Sequence, residues 1–466
     1  MKRILSSETP SKIGESIEAA GWVASRRDHG KLIFLDLRDK GGLLQVVVTP
    51  KNKEAYEAVQ DVRPEWVVKI QGTIQERPTE MRNRDLATGA VELSAESLTV
   101  LSPAKTPPIP LDGDGYGIGE EARLRYRYLD LRRERMKRNL ETRSRVVRFM
   151  REFLYQEGFC EIETPLLTKS TPEGARDFLV PSRLEPGKFY ALPQSPQQYK
   201  QLLQVAGFEK YFQIARALRD EDPRADRQAE HTQLDLEMSF VEREDVMALL
   251  ETLYTKLVSE LFPGKKISQV PFPILTYKEA MEKHGTDRPD LRADKENNNE
   301  LAFCFVVDFP AFTWSKEGKR WEAEHNPFSG VQTEDPKEVT KNPGKVLSWQ
   351  YDLALNGQEI GGGSIRSSNP EMLRASFEVM GYEKEEIEKQ FGHMLEAFTY
   401  GVPPHGGYGG GVDRLLAILL GESSIREVMA FPKTGDNREL MMGTPSEVSQ
   451  AQLDELHLKI QKPKKQ

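Results

Sequence analysis

Cysteine is almost absent from this chain. Cys160 and Cys304 are the only two among 466 residues, each in an apolar sequence setting, and no CxxC pair occurs. A disulfide framework and a cysteine-based structural zinc site are therefore not expected. Long apolar runs are also missing, so no segment reaches membrane-spanning length. The start, Met1-Lys2-Arg3-Ile4-Leu5, lacks the hydrophobic stretch of a secretory signal, and a cytoplasmic protein is expected. Positive charge is in deficit: 65 Lys and Arg against 73 Asp and Glu give a net charge of −8, so no global field advertises a nucleic-acid partner. One stretch departs from this. Between Arg123 and Glu152, twelve basic residues face four acids (Asp130, Glu134, Glu141, Glu152). The first reading is a solvated helix face and the second a phosphate-binding surface.

The length suits two or three domains. Residues 17–101 read as short strands: 31–38 and 43–48 flank the turn Asp39-Lys40-Gly41-Gly42, 66–70 and 91–100 follow, and 54–61 looks helical. A five-stranded barrel of the OB type fits residues 1–101. Prolines and glycines crowd residues 102–122, a linker or hinge. Residues 123–445 then alternate strands and helices irregularly, the α+β pattern of an antiparallel sheet flanked by helices. They open with a long amphipathic helix carrying Met136, Leu140, Val147, Met150 and Leu154 and stopping at Gly158. Residues 291–300 read as an exposed loop. Residues 446–466 form a C-terminal extension whose basic end, from Lys462, is expected to be disordered.

Two arginines carry the chemistry. Arg219 opens the acidic run Arg219-Asp220-Glu221-Asp222 between two strand-like segments. Arg414 closes the glycine-rich segment 406–411 and opens an apolar helix. No GKS or GKT follows those glycines and no βαβ unit surrounds them, which excludes a P-loop and a dinucleotide fingerprint. Glycines permit close backbone approach to a flat ring, and an arginine beside them reaches a phosphate. Arg219, held between antiparallel strands, is placed to neutralise an α-phosphate under attack.

With these features the chain resembles the class II aminoacyl-tRNA synthetases, and within them the bacterial-type aspartyl group. Motif 1 is the helix plus Gly158-Phe159-Cys160-Glu161-Ile162-Glu163-Thr164-Pro165-Leu166-Leu167 (about 136–167). Motif 2 lies around Arg219 (about 211–237), and motif 3 is the glycine run with Arg414 (about 406–420). Narrower signatures are Tyr126-Arg127-Tyr128-Leu129-Asp130-Leu131-Arg132-Arg133, Thr171-Pro172-Glu173-Gly174-Ala175-Arg176-Asp177 and Gly361-Gly362-Gly363-Ser364-Ile365-Arg366.

The resemblance implies an ATP-dependent ligase that forms AMP and pyrophosphate, working as a homodimer on tRNA(Asp). It implies Arg219 and Arg414 as catalytic cations, and ATP contacts from Asp220, Glu221, Gln228, His231, Glu359, Gly411, Val412 and Asp413. Asp352 and Glu359 match a Mg²⁺ site. For aspartate it implies Lys200 and Arg366 on the side-chain carboxylate, with Glu173, Gln197, Gln198, Tyr199, Gln233, Asp235 and His325 around the rest. A neutral amide there would leave two buried cations uncompensated. Anticodon reading falls to Arg27, Phe34, Gln45 and Glu92, although the alternation around Phe34 leaves an inward, core position equally open.

The chain departs from the family in three places. The large inserted domain between motifs 2 and 3 is essentially absent, with only residues 291–301 in its place. His231 stands where a phenylalanine usually stacks on adenine, so weaker or more pH-dependent ATP binding is expected. Asn326, after His325, replaces a second histidine and leaves open a non-discriminating form that also charges tRNA(Asn). Asparaginyl- and lysyl-tRNA synthetases and a non-catalytic RNA-binding paralogue are the rivals. Lys200 and Arg366 argue against the first two, and the intact Arg219, Glu221, Asp352, Glu359 and Arg414 argue against the third.

Overall fold

The computed structural model describes residues 2–170, 174–222 and 224–461. The chain divides into two compact units, residues 1–112 and 113–466.

The first unit is a closed five-stranded barrel. Its strands are β1 (Ser16–His29), β2 (Leu32–Asp39), β3 (Gly42–Val48), β4 (Val67–Glu76) and β5 (Val91–Ser102), in the order β1-β2-β3-β5-β4. The short helix α1 (Lys53–Ala58) lies between β3 and β4. Alternation drives the closure. Ile33, Leu35 and Leu37 of β2 point into the core with Val46, Val48, Ile70 and Leu93, leaving Phe34 and Asp36 outside. The long strand β1 has the weakest sequence signal, because its inward positions include Ala19, with only a methyl group, and Gly21, with no side chain, which mask the period of two.

The second unit is built on an eight-stranded sheet. Its strands are β6 (Cys160–Glu161), β7 (Lys210–Leu218), β8 (Glu230–Ser239), β9 (Ile274–Thr276), β10 (Phe303–Val307), β11 (Gln350–Leu355), β12 (Gln358–Ile365) and β13 (His405–Gly411). The order is β9-β10-β11-β12-β13-β8-β7-β6. The six central strands are antiparallel, and only the outermost, β9 and β6, join in parallel. Helices α2 (Glu134–Gln156), α3 (Gln197–Val205), α4 (Arg243–Leu261), α5 (Pro370–Val379), α6 (Lys384–Thr399) and α7 (Val412–Leu420) surround it. Met150 and Leu154 of α2, Leu250 and Leu257 of α4, and Leu415 and Leu419 of α7 share one core with Leu234 and Leu236 of β8. The opposite face of β8 carries Gln233, Asp235 and Glu237, and this alternation supplies the polar floor of the site.

The basic stretch after Arg123 is only in part a solvated face. Arg123, Arg127 and Arg133 all bond to the fully buried Asp130, at 3.0, 2.9 and 2.7 Å. Arg135 reaches Glu422 at 2.6 Å and Glu427 at 2.8 Å. These arginines weld the start of the unit to the segment after α7. The opposite charges offset the cost of burying them, a cost that an unpaired buried ion would bear in full. Arg138, Arg145 and Arg148 do lie exposed on α2. Cys304 is buried and Cys160 is exposed on the edge strand, so only the first has the apolar surroundings its neighbours suggest. Residues 291–299 form an irregular, mostly exposed loop, and Lys462 onwards lies outside the described residues.

Candidate active site

A cleft of about 390 Å³ over β8, β12 and β13 is lined at one end by the buried cations Lys200 and Arg366; the two acids bonded to them, Asp235 and Glu237, are fully buried and do not line it. Lys200, near the start of α3 and 2 % exposed, sits 3.0 Å from Asp235 and 3.2 Å from Glu237. Arg366, just beyond β12, grips both oxygens of Glu237 at 2.8 and 3.1 Å and donates to Ser364 Oγ at 2.8 Å. Burial alone would raise both acids. At Glu237 the cations Arg366 and Lys200 win and hold the carboxyl down to about 2. At Asp235 burial wins over Lys200 and lifts it to about 6. Among the described residues, the buried Asp235 Oδ1 has no hydrogen-bond partner, although Oδ2 accepts from Lys200.

The other end of the cleft holds Arg219, Glu221, Gln228, His231 and Arg414. Arg219 is anchored through its backbone N–H to Ala229 at 2.7 Å and lies 3.4 Å from the Gln194 carbonyl. Arg227 reaches Glu221 at 3.6 Å. Arg414 donates to the Glu359 carbonyl and pairs with Asp226 at 3.3 Å, while its buried Nε has no partner among the described residues. His231 is held neutral, its pKa lowered to about 4 first by burial and then by Arg219. The expected pH dependence through this ring therefore lies below the physiological range.

Asp352 on β11 pairs in register with Gly362 of β12, and Glu359 with Ala354, so both acids share one sheet face. Burial and then the neighbouring Glu359 raise the Asp352 carboxyl well above its ordinary range. Glu359 lines the cleft and Asp352 lies buried beside it, taking a hydrogen bond from Gln350; a carboxylate pair of this kind suits Mg²⁺, which takes few protein ligands and leaves the rest of its shell to phosphate and water. Among the described residues no cluster of three or more metal-ligating side chains occurs.

The glycines serve the protein's own side chains. A Cβ at Gly407 would lie 2.0 Å from Glu237 Oε2 and 2.2 Å from the Leu236 carbonyl, and one at Gly409 would lie 2.0 Å from Gln233 Nε2. The acids of β8 lean across β13 only because that strand has no side chains there. Gly411, which like Gly409 lines the cleft, differs in its space: the nearest neighbour of a Cβ there would be 3.7 Å away.

Gln197, Gln233 and His325 also line the cleft, as does Asn326, whose Oδ1 caps the Phe328 N–H at 2.8 Å. Gln198 and Tyr199 do not line it. They face a neighbouring cavity, where Gln198 Oε1 meets His393 Nε2 at 2.7 Å and the Tyr199 hydroxyl meets Thr168 at 3.0 Å. Asp220 bridges by its backbone to Arg176, and Val412 is buried in the core. Asp413 lines the cleft, but its carboxylate is taken up by Arg143 and the Thr232 N–H. Glu173 lies outside the described residues. Glu237, Asp226 and Arg227 were not anticipated. The alternation 233, 235, 237 on β8 was a signal for Glu237; Asp226 and Arg227 had none, because their roles depend on where the motif 2 loop folds back.

On the barrel, Phe34 faces outward and half-exposed, with His29 edge-on at 5.7 Å. Gln45 donates to Glu92 at 2.9 Å, and Arg27 pairs with Asp36 at 2.8 Å. The outward face, not the core, is therefore the position Phe34 takes.

Residues 119–435 match the family of tRNA synthetases class II (D, K and N), and residues 17–101 match the OB-fold nucleic acid binding domain. This chain belongs to the class II tRNA synthetases. An Aspartate--tRNA(Asp/Asn) ligase of Rubrobacter xylanophilus is 42% identical, with 97% of this chain and 95% of that protein covered. One of the same description from Dehalococcoides mccartyi is 40% identical, with 98% of each covered. The Rubrobacter alignment spans 573 positions against the 466 residues here, so that relative carries over a hundred residues without a counterpart. This shortfall is in keeping with a missing inserted domain. Among solved structures, the asparaginyl-tRNA synthetase of Pyrococcus horikoshii with asparaginyl-adenylate is 26% identical at a TM-score of 0.74, covering 93% of this chain and 98% of that one. As a class II synthetase the chain uses ATP, and among its described residues no helix is long and apolar enough to cross a membrane.

Proposed function

We propose that this synthetase is an aspartate--tRNA ligase acting in the cytoplasm as a homodimer. The carrying observation is the pair Lys200 and Arg366, two buried cations brought together by Glu237, with Asp235 also on Lys200, and both lining the cleft. A substrate side-chain carboxylate can accept hydrogen bonds from both cations through its two oxygens, whereas asparagine's amide offers one acceptor and turns an NH₂ donor towards them. Asp235 Oδ1, which is unbonded among the described residues, suits the substrate ammonium. Arg219 faces the α-carboxylate and the α-phosphate of ATP, and Arg414 the outer phosphates. The substrate carboxylate attacks the α-phosphorus, the bond to the β-phosphate oxygen breaks, and aspartyl-adenylate and pyrophosphate form. Arg219 and Arg414 stabilise the charge that develops, and positioning supplies much of the remainder. The 3′-terminal ribose hydroxyl of tRNA then attacks the carbonyl and AMP leaves. Asp352 and Glu359 would hold Mg²⁺, whose contribution is to neutralise phosphate charge.

Exposed Tyr155, Leu166 and Leu167, on α2 and the extended segment after it, favour a covered dimer face. Both tRNA(Asp) and tRNA(Asn) are proposed substrates, since the similar ligases carry the Asp/Asn description and Asn326 occupies the second histidine position. The test is pyrophosphate exchange with aspartate, asparagine and lysine, followed by charging of each tRNA. Exchange with aspartate alone supports the reading; exchange with asparagine or lysine instead overturns it. Failure to charge tRNA(Asn) would restrict the enzyme to tRNA(Asp).

A further inference from the structure

Arg143, in the middle of α2, joins the three segments that build the site. One guanidinium nitrogen donates to Thr232 Oγ1 at 2.7 Å. The other donates to the Asp413 carboxylate and lies 3.3 Å from the Val428 carbonyl. The second oxygen of Asp413 accepts the Thr232 backbone N–H at 2.8 Å. The pairing of β8 with β13 ends at Gln233 opposite Gly411, one residue short of Thr232. There the chain turns into α7, and Asp413 provides the acceptor that a further rung would have supplied. Both Asp413 and Thr232 are buried, at 2 % and 6 % exposed, so the arrangement is shielded from competing water.

The residues next to this junction are cleft residues. His231 precedes Thr232, and Arg414 follows Asp413. The register between the motif 2 strand and the first turn of α7 therefore sets where Arg414 stands relative to the nucleotide end of the cleft. We propose that Arg143 is a positioning residue for adenylate formation, fixing Arg414 against the motif 2 strand through Asp413 and Thr232. This rests on the ligase reading above. Lysine does not replace it, because one ammonium cannot present two separate nitrogens to Thr232, Asp413 and Val428 in a fixed plane.

The experiment uses the full chain with Arg143→Met, Arg143→Lys and Thr232→Val. It reads KM for ATP and for aspartate by pyrophosphate exchange, and Mg·ATP affinity by calorimetry. Arg143→Met is expected to raise the ATP KM and Kd roughly tenfold, with the aspartate KM within about twofold, since a displacement of Arg414 is felt at the phosphates and not at Lys200. Arg143→Lys should resemble Arg143→Met, and Thr232→Val should show the same pattern more weakly. In an Arg414→Ala background, Arg143→Met should add nothing, because both changes remove one contact. Equal rises in both KM values, parental behaviour of Arg143→Lys, or additive losses in that background overturns the proposal. If Arg143→Met lowers the unfolding midpoint too far to assay, the other two variants decide. If the parent shows no aspartate-dependent exchange, the ligase reading fails, and calorimetric ATP binding still decides the role of Arg143.

Discussion

Glu237 holds Arg366 through both of its oxygens, at 2.8 and 3.1 Å, and lies 3.2 Å from Lys200, so one carboxylate links two buried cations, Lys200 having Asp235 as its second partner at 3.0 Å. Its charge state is secure, since those cations keep it ionised down to about 2. Glu237→Gln would leave Arg366 without a counter-charge in a site where all three side chains are almost fully buried. Stability should fall by about 3 kcal/mol, read from the urea midpoint. The aspartate KM should rise with it, and a parental midpoint would contradict the shared-carboxylate account.

Gly407 and Gly411 belong to one glycine run but should respond differently to alanine. At Gly407 the new methyl meets the Leu236 carbonyl at 2.2 Å, a backbone atom that moves only if β8 and β13 separate. Loss of about 3 kcal/mol or more is expected, with loss of aspartate activation. Gly411→Ala meets nothing closer than 3.7 Å and should keep the parental unfolding midpoint, any effect showing in the ATP KM. Equal destabilisation by the two substitutions would count against this explanation of the run.

His231 stays neutral until about pH 4. The pH profile of the ATP KM between 6 and 8 should therefore be the same in the parent and in His231→Phe. The larger aromatic face should lower that KM by a few-fold, for a stacking gain of about 1 kcal/mol. A slope near pH 6 that disappears in His231→Phe would show that the imidazole titrates there.

Phe34 faces outward from the barrel beside His29. Phe34→Ala should leave tRNA-independent pyrophosphate exchange unchanged and raise the tRNA KM at least fivefold, since base stacking is worth roughly 1–3 kcal/mol. An unchanged tRNA KM would remove Phe34 from anticodon recognition.

Much of this was legible in the sequence because it depends on local periodicity. Alternation in β2 and β8 sorts inward from outward residues, and Gly158, with φ of +83°, ends the α2 segment where the helical pattern stops. The glycine run before an arginine marks a place where side chains are excluded. Types and spacings also defined the barrel and the mixed second unit, whereas Lys200, Gln233, Asp235 and Arg366 were reached only through the family resemblance.

Tertiary structure decided which charges meet. Arg123, Arg127 and Arg133 look like a solvated row but converge on Asp130, because the short helices before α2 fold back over the segment after α7. Gln198 and Tyr199 follow a cleft residue in sequence and leave the cleft, since successive positions on α3 point in different directions. Asp226 reaches Arg414 across 188 positions, and Arg143 reaches Asp413 across 270. A side chain's class and strand face are set by its neighbours in the chain. Its partner is set by which elements pack together, and that depends on burying the common apolar core.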